Sequence, residues 1–189
     1  MKSVFLSFLC ALLVLSCKTN KPEQHQQITT EFAFISEVLR DTSVIKHKPV
    51  LLDIDVNPPS MLNIPGDTTF SKRINYLSYL LDEKDTLYLR SQLALEKSFT
   101  LESLASGSVK VLANKAITAS TDSRWEYLER IGEAGYYSLS KPIFNKESTK
   151  AYVKVSYYCG EYCGGGMEIL FIKTNNKWIV ERRLGGWVI

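Results

Sequence analysis

The last third of the chain contains four short segments in which apolar and polar residues alternate, the pattern of β-strands. We predict strands at residues 136–140, 150–159, 167–173 and 177–184. Asn175 and Asn176 stand between the last two, and asparagine tolerates the positive φ angles of a tight hairpin turn. Tight turns of this kind join antiparallel strands. This part of the chain is therefore predicted to fold as an antiparallel β-meander.

Two of these predicted strands differ in how many of their faces are apolar. We expect residues 150–159 to bury one face against the core. That face consists of Ala151, Val153, Val155, Tyr157 and Cys159. Residues 167–173 alternate between two apolar sets, so both of their faces are apolar. Such a strand is expected in the middle of the sheet.

Helices are predicted ahead of this sheet. Apolar residues recur at three- and four-residue spacing in residues 29–40 and 70–81, and a third helix is expected from Thr86 towards Lys97. Asp85 can cap that helix, and Ser123 stands three residues before Glu126, the spacing of a capping box at the start of a fourth. Residues 49–56 and 109–117 are predicted as further strands.

These elements predict an α+β fold in which N-terminal helices pack on an antiparallel β-meander, in a cystatin/NTF2-like arrangement. We expect residues 28–189 to form a single domain, because a chain of this length can bury an ordinary core without a second one.

The N-terminus has the composition of an export signal. Lys2 supplies a positive charge, and residues 4–15 are almost entirely apolar. A transmembrane helix needs about 20 apolar residues, whereas the apolar part of a signal peptide needs about 7 to 15. We therefore predict that residues 1–16 are a signal peptide and not part of the fold.

The end of this segment resembles the lipobox of bacterial lipoproteins. Val14, Ser16 and Cys17 match its apolar residue, its small residue and its lipidated cysteine. The resemblance implies cleavage before Cys17 and acylation that anchors the protein in the lipid bilayer, since more than one acyl chain gives stable anchoring. Lys18 follows in place of the aspartate associated with inner-membrane retention. This favours the outer membrane of the cell envelope.

Residues 18–27 are polar, so we predict that residues 17–27 are a lipidated cysteine and a tether. The formal net charge is only +3, and there is no polybasic block, so nucleic-acid binding is not expected. The two histidines, His25 and His47, have no Cys, Asp or Glu at metal-ligand spacing. We therefore predict neither a metal site nor a cofactor.

Two cysteines remain for the folded domain once Cys10 is cleaved off and Cys17 is lipidated. Cys159 and Cys163 form an even pair in an exported protein, and such a pair is expected to be oxidised to a disulfide. A fully extended chain would separate them by roughly 13 Å, too far for a bridge, so the chain must turn. We expect the turn to use four glycines: Gly160, Gly164, Gly165 and Gly166.

The C-terminal third also resembles a group of bacterial lipoproteins of uncharacterised activity, over residues 125–189. The resemblance is carried by Trp125, Gly135, residues 138–140, Pro142-Ile143-Phe144, Ala151-Tyr152-Val153, Cys159-Gly160-Glu161-Tyr162-Cys163-Gly164, Lys177-Trp178 and Trp187-Val188. It implies a lipoprotein of the cell envelope and no particular activity.

These features favour a non-enzymatic binding or interaction module whose ligand is a protein or a small molecule. Aromatic side chains with polar groups suit recognition, although they also suit sheet packing. The candidate ligand-binding residues are Tyr157, Tyr158, Tyr162 and Trp187. The alternative is a thiol-disulfide or copper-handling protein that uses Cys159 and Cys163.

Overall fold

The computed structural model describes residues 21–47, 50–53, 70–94, 100–101, 109–113, 123–160 and 162–189. Cys17, the predicted signal segment 1–16 and the start of the predicted tether lie outside these ranges. The chain divides into two compact units, Met1–Thr30 and Glu31–Ile189, and the sheet belongs to the second. None of the helices in the described ranges is long and apolar enough to cross a membrane.

Four helices and seven strands lie within these ranges, so the fold is α+β. The helices are α1 (Lys21–Val38), α2 (Phe70–Leu81), α3 (Thr86–Ala94) and α4 (Arg124–Arg130). The strands are β1 (Val50–Asp53), β2 (Lys110–Ala113), β3 (Tyr136–Leu139), β4 (Ile143–Phe144), β5 (Lys150–Gly160), β6 (Cys163–Thr174) and β7 (Lys177–Val188).

All seven strands join one sheet in the order β2-β1-β3-β5-β6-β7, and β4 also pairs with β5. Every pairing from β3 to β7 is antiparallel, which confirms the predicted meander. Strand β6 is paired on both sides, but it lies next to the edge strand β7 and not in the middle of the sheet. β1 instead pairs in parallel with both β2 and β3. The prediction of an antiparallel sheet therefore does not hold at this edge, where these two pairings are parallel. Helices α2 and α3 lie between β1 and β2 in the chain, so the connection has the length that parallel pairing needs.

Local sequence signals set the ends of several elements. The amide of Glu126 donates to Ser123 Oγ at 3.3 Å, and the amide of Ser123 donates to Glu126 Oε2 at 2.6 Å, so the predicted capping box is confirmed. Asp85 accepts two amide hydrogen bonds from the start of α3. Asn175 and Asn176 have φ angles of 50° and 61° in the turn before β7.

Helix α1 begins at Lys21, earlier than the predicted start at residue 29. Pro22 lies in its first turn, where proline is tolerated because the amide that it lacks has no intrahelical partner there. The glutamate and glutamines that follow are good helix formers. Residues 21–27 of the predicted tether therefore belong to a helix.

One face of the sheet, here called the α1 face, packs against α1. The ring of Phe34, which is fully buried, lies 5.4 Å from that of Phe144, 5.2 Å from Phe171 and 5.1 Å from Trp178, measured between centroids. All three pairs are edge-to-face, an arrangement that aromatic rings prefer. The aliphatic part of this core includes Ile35, Val38, Leu51, Leu139, Ala151, Val153, Val155 and Ile169.

The opposite face, here called the α2 face, packs against α2 and α3. Leu77 of α2 and Leu89 of α3 share a buried cluster with Tyr152 and Leu170 of the sheet. Helix α4 packs on a further cluster through Leu128. Strand β5 is therefore buried on both faces over residues 151–156, and the prediction that only one of its faces covers the core is wrong. Helices cover the second face as well as the first.

Buried polar groups attach the helices to the sheet. The side chain of Gln92 on α3 donates to the carbonyl of Phe144 at 2.8 Å and accepts from its amide at 3.0 Å, so it continues the hydrogen bonding of β4. Glu31 on α1 forms a buried ion pair with Lys141, just after β3. Each contact satisfies polar groups that would be costly to bury alone.

Candidate functional site

The β5–β6 hairpin closes at the two cysteines. Cys159 and Cys163 lie at disulfide-bonding distance, with their Cα atoms 5.0 Å apart. Cys163 is exposed, whereas Cys159 is half-buried. Beside them, Gly160 and Cys163 form the last pair of the ladder, after an irregularity that follows Tyr158. The ladder of the hairpin therefore extends as far as the two cysteines.

The prediction that four glycines form this turn is wrong, because three of them lie inside β6. Gly164, Gly165 and Gly166 pair with residues 158, 157 and 156 of β5. A Cβ atom on Gly164 would lie 3.0 Å from the backbone oxygen of Tyr157 and 3.4 Å from the ring of Trp187. Glycine at this position therefore permits the close approach of that ring to β6.

The four aromatic residues predicted to bind a ligand do not form one site. Tyr157 packs against the core cluster that includes Phe34 and Val155, so its side chain lies on the α1 face. Tyr158 lies on the opposite face, where its ring centroid is 5.4 Å from that of Trp187. Tyr162 is 84% exposed at the tip of the hairpin. The hairpin thus presents its aromatic residues in three different environments.

On the α2 face, four rings pack in a row, here called the aromatic ladder. Its members are Trp125, Tyr136, Tyr158 and Trp187, with successive centroid distances of 5.8, 5.1 and 5.4 Å. Arg124 donates to the hydroxyl of Tyr136 at 2.8 Å. Burial raises the pKa of Tyr136, although the positive charge of Arg124 opposes the change. The ladder attaches α4 to the sheet and fills this face with ring contacts.

On the α1 face, the same end of the sheet carries a cavity of about 210 Å³, here called the hairpin pocket. It lies between β3, β5 and β6 on one side and the segment that follows α1 on the other. Its lining residues are Val44, Lys46, His47, Tyr137, Val155, Tyr157, Gly165, Gly166, Met167, Trp187 and Val188. Most of these residues are apolar or aromatic, which is typical of a small-ligand site.

Tyr137 holds the rim of the hairpin pocket in place. Its buried hydroxyl accepts hydrogen bonds from the backbone amides of Lys46 and His47, at 3.1 and 3.2 Å. A turn in which the amides of Val44 and Ile45 donate to the carbonyl of Asp41 precedes this contact. The rim therefore depends on a tyrosine that is about ninety residues away in the sequence.

Tyr157 forms one wall of the pocket between two other rings. Its centroid lies 4.8 Å from the ring of His47, in a stacked arrangement, and 4.7 Å from the ring of Tyr137. Burial raises the pKa of Tyr157, and the nearby Tyr137 adds to the effect. The Tyr157 hydroxyl is therefore a neutral group at physiological pH, able to donate one hydrogen bond.

The charged side chain at the rim of the pocket is that of Lys46, which is basic. Lys46 and His47 are both exposed at the rim, and the described lining contains no carboxylate. Arg183 lies nearby, since its guanidinium donates to the carbonyl and the hydroxyl of Ser43 at 3.1 and 3.2 Å. The closest acidic group on this segment is Asp41, whose carboxylate accepts from the amide of Ser43.

A second group of polar side chains is buried on the α2 face. Lys154 and Glu168 lie 3.7 Å apart, and both side chains are 6% exposed. The hydroxyl of Tyr152 is buried without a hydrogen bond of normal geometry. Burial strongly raises the pKa of Tyr152, and the negative charge of Glu168 raises it further. These groups lie within the core between β5, β6 and α2, where Lys154 and Glu168 offset each other's charge.

Sequence reasoning identified Tyr157 but missed His47, Tyr137 and Met167. Trp187, which was also predicted, borders the pocket, but its ring lies on the α2 face beside that of Tyr158. Tyr137 and Met167 carry no local signal beyond strand alternation, and His47 stands alone in a connecting segment. These residues meet only because β3 pairs with β5, and because Tyr137 then fixes the segment after α1. Sequence spacing does not reveal contacts of this kind.

Groups of three or more His, Cys, Asp or Glu side chains placed to hold a metal ion are absent from the described part of the chain. Comparison of the chain with protein-family models, with curated proteins and with solved structures finds no match.

Proposed function

We propose that this chain is a lipid-anchored, non-enzymatic binding protein of the bacterial cell envelope, and that the hairpin pocket holds its ligand. The observation that carries this proposal is the cavity of about 210 Å³ on the α1 face, beside the exposed rim of Lys46 and His47. Its lining combines apolar side chains with a few polar groups, which is how binding sites obtain both affinity and orientation.

The size of the pocket limits what it can hold. Drug-sized ligands occupy cavities of about 300 to 1,000 Å³, whereas a cavity of about 150 Å³ lined by apolar side chains binds benzene. The hairpin pocket lies between these cases, at about 210 Å³. It suits a single ring with a small substituent, packed beside Tyr157 and Met167.

A fold of the cystatin/NTF2-like kind is part of the proposal. It is supported by the packing of α1 through Phe34 across the antiparallel strands of the C-terminal half. In such an arrangement a helix and a sheet enclose a cavity between them. An experimental structure in which α1 does not lie on this face would contradict it.

Methionine methyl groups give a direct test of ligand binding. The chain contains Met1, Met61 and Met167, so 13C-methyl labelling gives at most three signals, and Met167→Leu assigns the relevant one. Addition of phenol to the purified full-length chain is expected to shift the Met167 signal saturably, because a bound ring perturbs nearby methyl resonances.

Two matched tryptophan variants test whether the shift of the Met167 signal arises from binding in the hairpin pocket. Val188 borders the pocket and is 88% exposed, whereas Ile179 lies on the same strand outside the pocket and is 48% exposed. Val188→Trp should block the pocket and abolish the shift, and Ile179→Trp should not. A wild-type Met167 signal that never moves with single-ring probes would contradict the binding proposal.

The membrane anchor is supported by the apolar residues 4–15 and by the lipobox resemblance of Val14, Ser16 and Cys17. Cells grown with a clickable fatty acid should label the wild-type protein. Cys17→Ser should abolish the label, while Cys10→Ser, a matched change within the signal segment, should leave it. Equal labelling of Cys17→Ser would contradict the anchor, and separation of inner from outer membranes would test the proposed location.

A second candidate function uses the cysteines of the hairpin. The exposure of Cys163 favours it, because thiol-disulfide exchange requires access to a sulfur atom. Mass spectrometry after treatment with mild reductant, together with a copper-binding assay, would separate the two proposals. A bridge that survives and a chain that binds no copper support the structural role. Rapid reduction or stoichiometric copper binding supports the alternative.

A further inference from the structure

We infer that the ligand of the hairpin pocket is a small aromatic molecule that carries a negatively charged group, such as an aromatic carboxylate. This inference rests on the proposed function, since it specifies the chemistry of the same pocket. It follows from three features of the described residues: the size of the cavity, the chemistry of its walls and the sign of the charge at its rim.

The walls select an aromatic ring. Tyr157 and Tyr137 present rings, and Met167 presents a polarisable thioether that makes favourable contacts with ring edges. Val155 and Val188 add aliphatic surface on the same side of the sheet. A planar aromatic ring in the cavity would displace water from all of these surfaces at once. Removal of apolar surface from water favours binding of such a ring.

The rim selects a negative charge. The side chain of Lys46 is exposed beside the cavity, and its ammonium group forms no ion pair with a described residue. Its backbone amide is held by Tyr137, so the start of the side chain has a fixed position relative to the pocket. A carboxylate on the ligand would thus gain an attractive charge without displacing an existing partner.

The surroundings of Lys46 reinforce this preference. Arg183 is attached to Ser43 on the same segment and adds a second positive charge to this side of the sheet. The carboxylate of Asp41 offsets part of that charge at the far end of the turn. A cationic ligand would meet Lys46 and gain no carboxylate from the described lining, so it should bind more weakly than an anion.

Three probes of similar shape test the inference: phenylacetate, which is anionic, phenylacetamide, which is neutral, and phenethylamine, which is cationic. Each is titrated into the full-length chain while the Met167 methyl signal is followed. We expect phenylacetate to bind about threefold more tightly than phenylacetamide, the order expected for one partly exposed charge pair. The advantage should shrink as salt is raised, because ions screen exposed charges.

A matched pair of lysine variants identifies the charge responsible. Lys46→Gln should remove the advantage of phenylacetate and leave phenylacetamide binding unchanged. It keeps the backbone amide that donates to Tyr137. Lys177→Gln, an exposed lysine at the other end of β7, should retain the advantage.

The outcomes separate this inference from the proposed function. Equal binding of phenylacetate and phenylacetamide, or tighter binding of phenethylamine, would overturn the anionic preference and leave the ring-binding pocket intact. Retention of the phenylacetate advantage in Lys46→Gln would overturn the role of that residue. If no probe shifts the Met167 signal, both the inference and the proposed function fail.

Discussion

The two faces of the β5–β6 hairpin carry similar residues in opposite settings. Tyr157 on the α1 face and Tyr158 on the α2 face are neighbours in the sequence, and each packs against two other rings. On the α2 face, helix α4 packs on Tyr136 and adds Trp125 to the aromatic ladder, which extends to Trp187. On the α1 face, a short connecting segment covers them and a cavity remains. Aromatic composition alone therefore does not identify a binding surface.

The difference lies in what packs on each face. Helix α4 brings a capped, regular surface with Leu128 and Trp125 directed at the sheet. The segment after α1 instead reaches the sheet through backbone amides bonded to Tyr137 and through the ring of His47. A few hydrogen bonds fix a segment without filling the space beneath it. This contrast predicts that the ladder mainly supports stability and that the pocket mainly supports binding.

The largest effect on stability is expected from truncating a tyrosine of the aromatic ladder, so the first test compares Tyr136→Ala with Tyr157→Ala. Tyr136 is 1% exposed in the ladder, so its truncation should lower the free energy of unfolding by about 3 to 5 kcal/mol. Tyr157 is half-buried, and Tyr157→Ala should cost less than half as much while abolishing the phenol-induced shift of Met167. Urea denaturation and the methyl titration measure the two effects. Equal losses of stability would contradict the division of roles.

A smaller effect on stability is expected at Gly185 and Gly186, two adjacent glycines in β7. A Cβ atom on Gly186 would lie 2.5 Å from the backbone oxygen of Gly166, whereas one on Gly185 would have nothing within 4 Å. Gly186→Ala should therefore lower the free energy of unfolding by about 1 to 3 kcal/mol. Gly185→Ala should change it by less than about 0.5 kcal/mol. Thermal and urea denaturation of the two variants provide matched measurements, and a loss at Gly185 as large as that at Gly186 would contradict the close packing of β7 on β6.

A smaller difference still is expected between two buried tyrosine hydroxyls on the α2 face. Tyr136→Phe removes the hydrogen bond from Arg124 and should cost about 1 kcal/mol. Tyr152→Phe removes a hydroxyl that has no hydrogen bond of normal geometry, so it should be neutral or slightly stabilising. Urea denaturation at pH 7 compares them. A larger loss for Tyr152→Phe would mean that its hydroxyl has a partner in the folded protein.

The elements of this fold were largely predictable because their signals are local. Strand alternation, the capping box at Ser123 and the asparagine turn at Asn175 depend on residues close together in the chain, and each is confirmed. The burial of β5 on both faces was not predictable, because Lys154 and Ser156 look like solvent-facing residues in the sequence. They are buried because the α2 face is covered as well, and Lys154 is paired with Glu168.

The candidate site was less predictable than the fold. Its residues come from the segment after α1, from three strands of the sheet and from the end of β7, so they meet only through long-range pairing. The glycines of β6 show the same limit. A run of glycines indicates a turn when read locally, but Gly164 lies within β6, where a Cβ atom would crowd the backbone oxygen of Tyr157 at 3.0 Å and touch the ring of Trp187. The partner that explains such a glycine is remote in the sequence.

The two faces are also expected to differ in the alkaline pH dependence of stability. Burial raises the pKa of Tyr152 on the α2 face and that of Tyr157 on the α1 face. Above pH 10 the tyrosines of the unfolded chain lose protons while these two retain them, so the folded state binds more protons and the free energy of unfolding falls as pH rises. Below pH 10 their contribution is fully present. Denaturation between pH 9 and pH 11 measures the slope.

The two faces should differ in this slope because their tyrosines differ in burial. Tyr152 is 1% exposed between β5 and α2, whereas Tyr157 borders an open pocket. Tyr152→Phe should therefore flatten the alkaline loss of stability more than Tyr157→Phe does, because it removes the more strongly shifted group. Equal slopes in the two variants would mean that Tyr157 is as strongly desolvated as Tyr152. That result would contradict the contrast between a filled α2 face and an open α1 face.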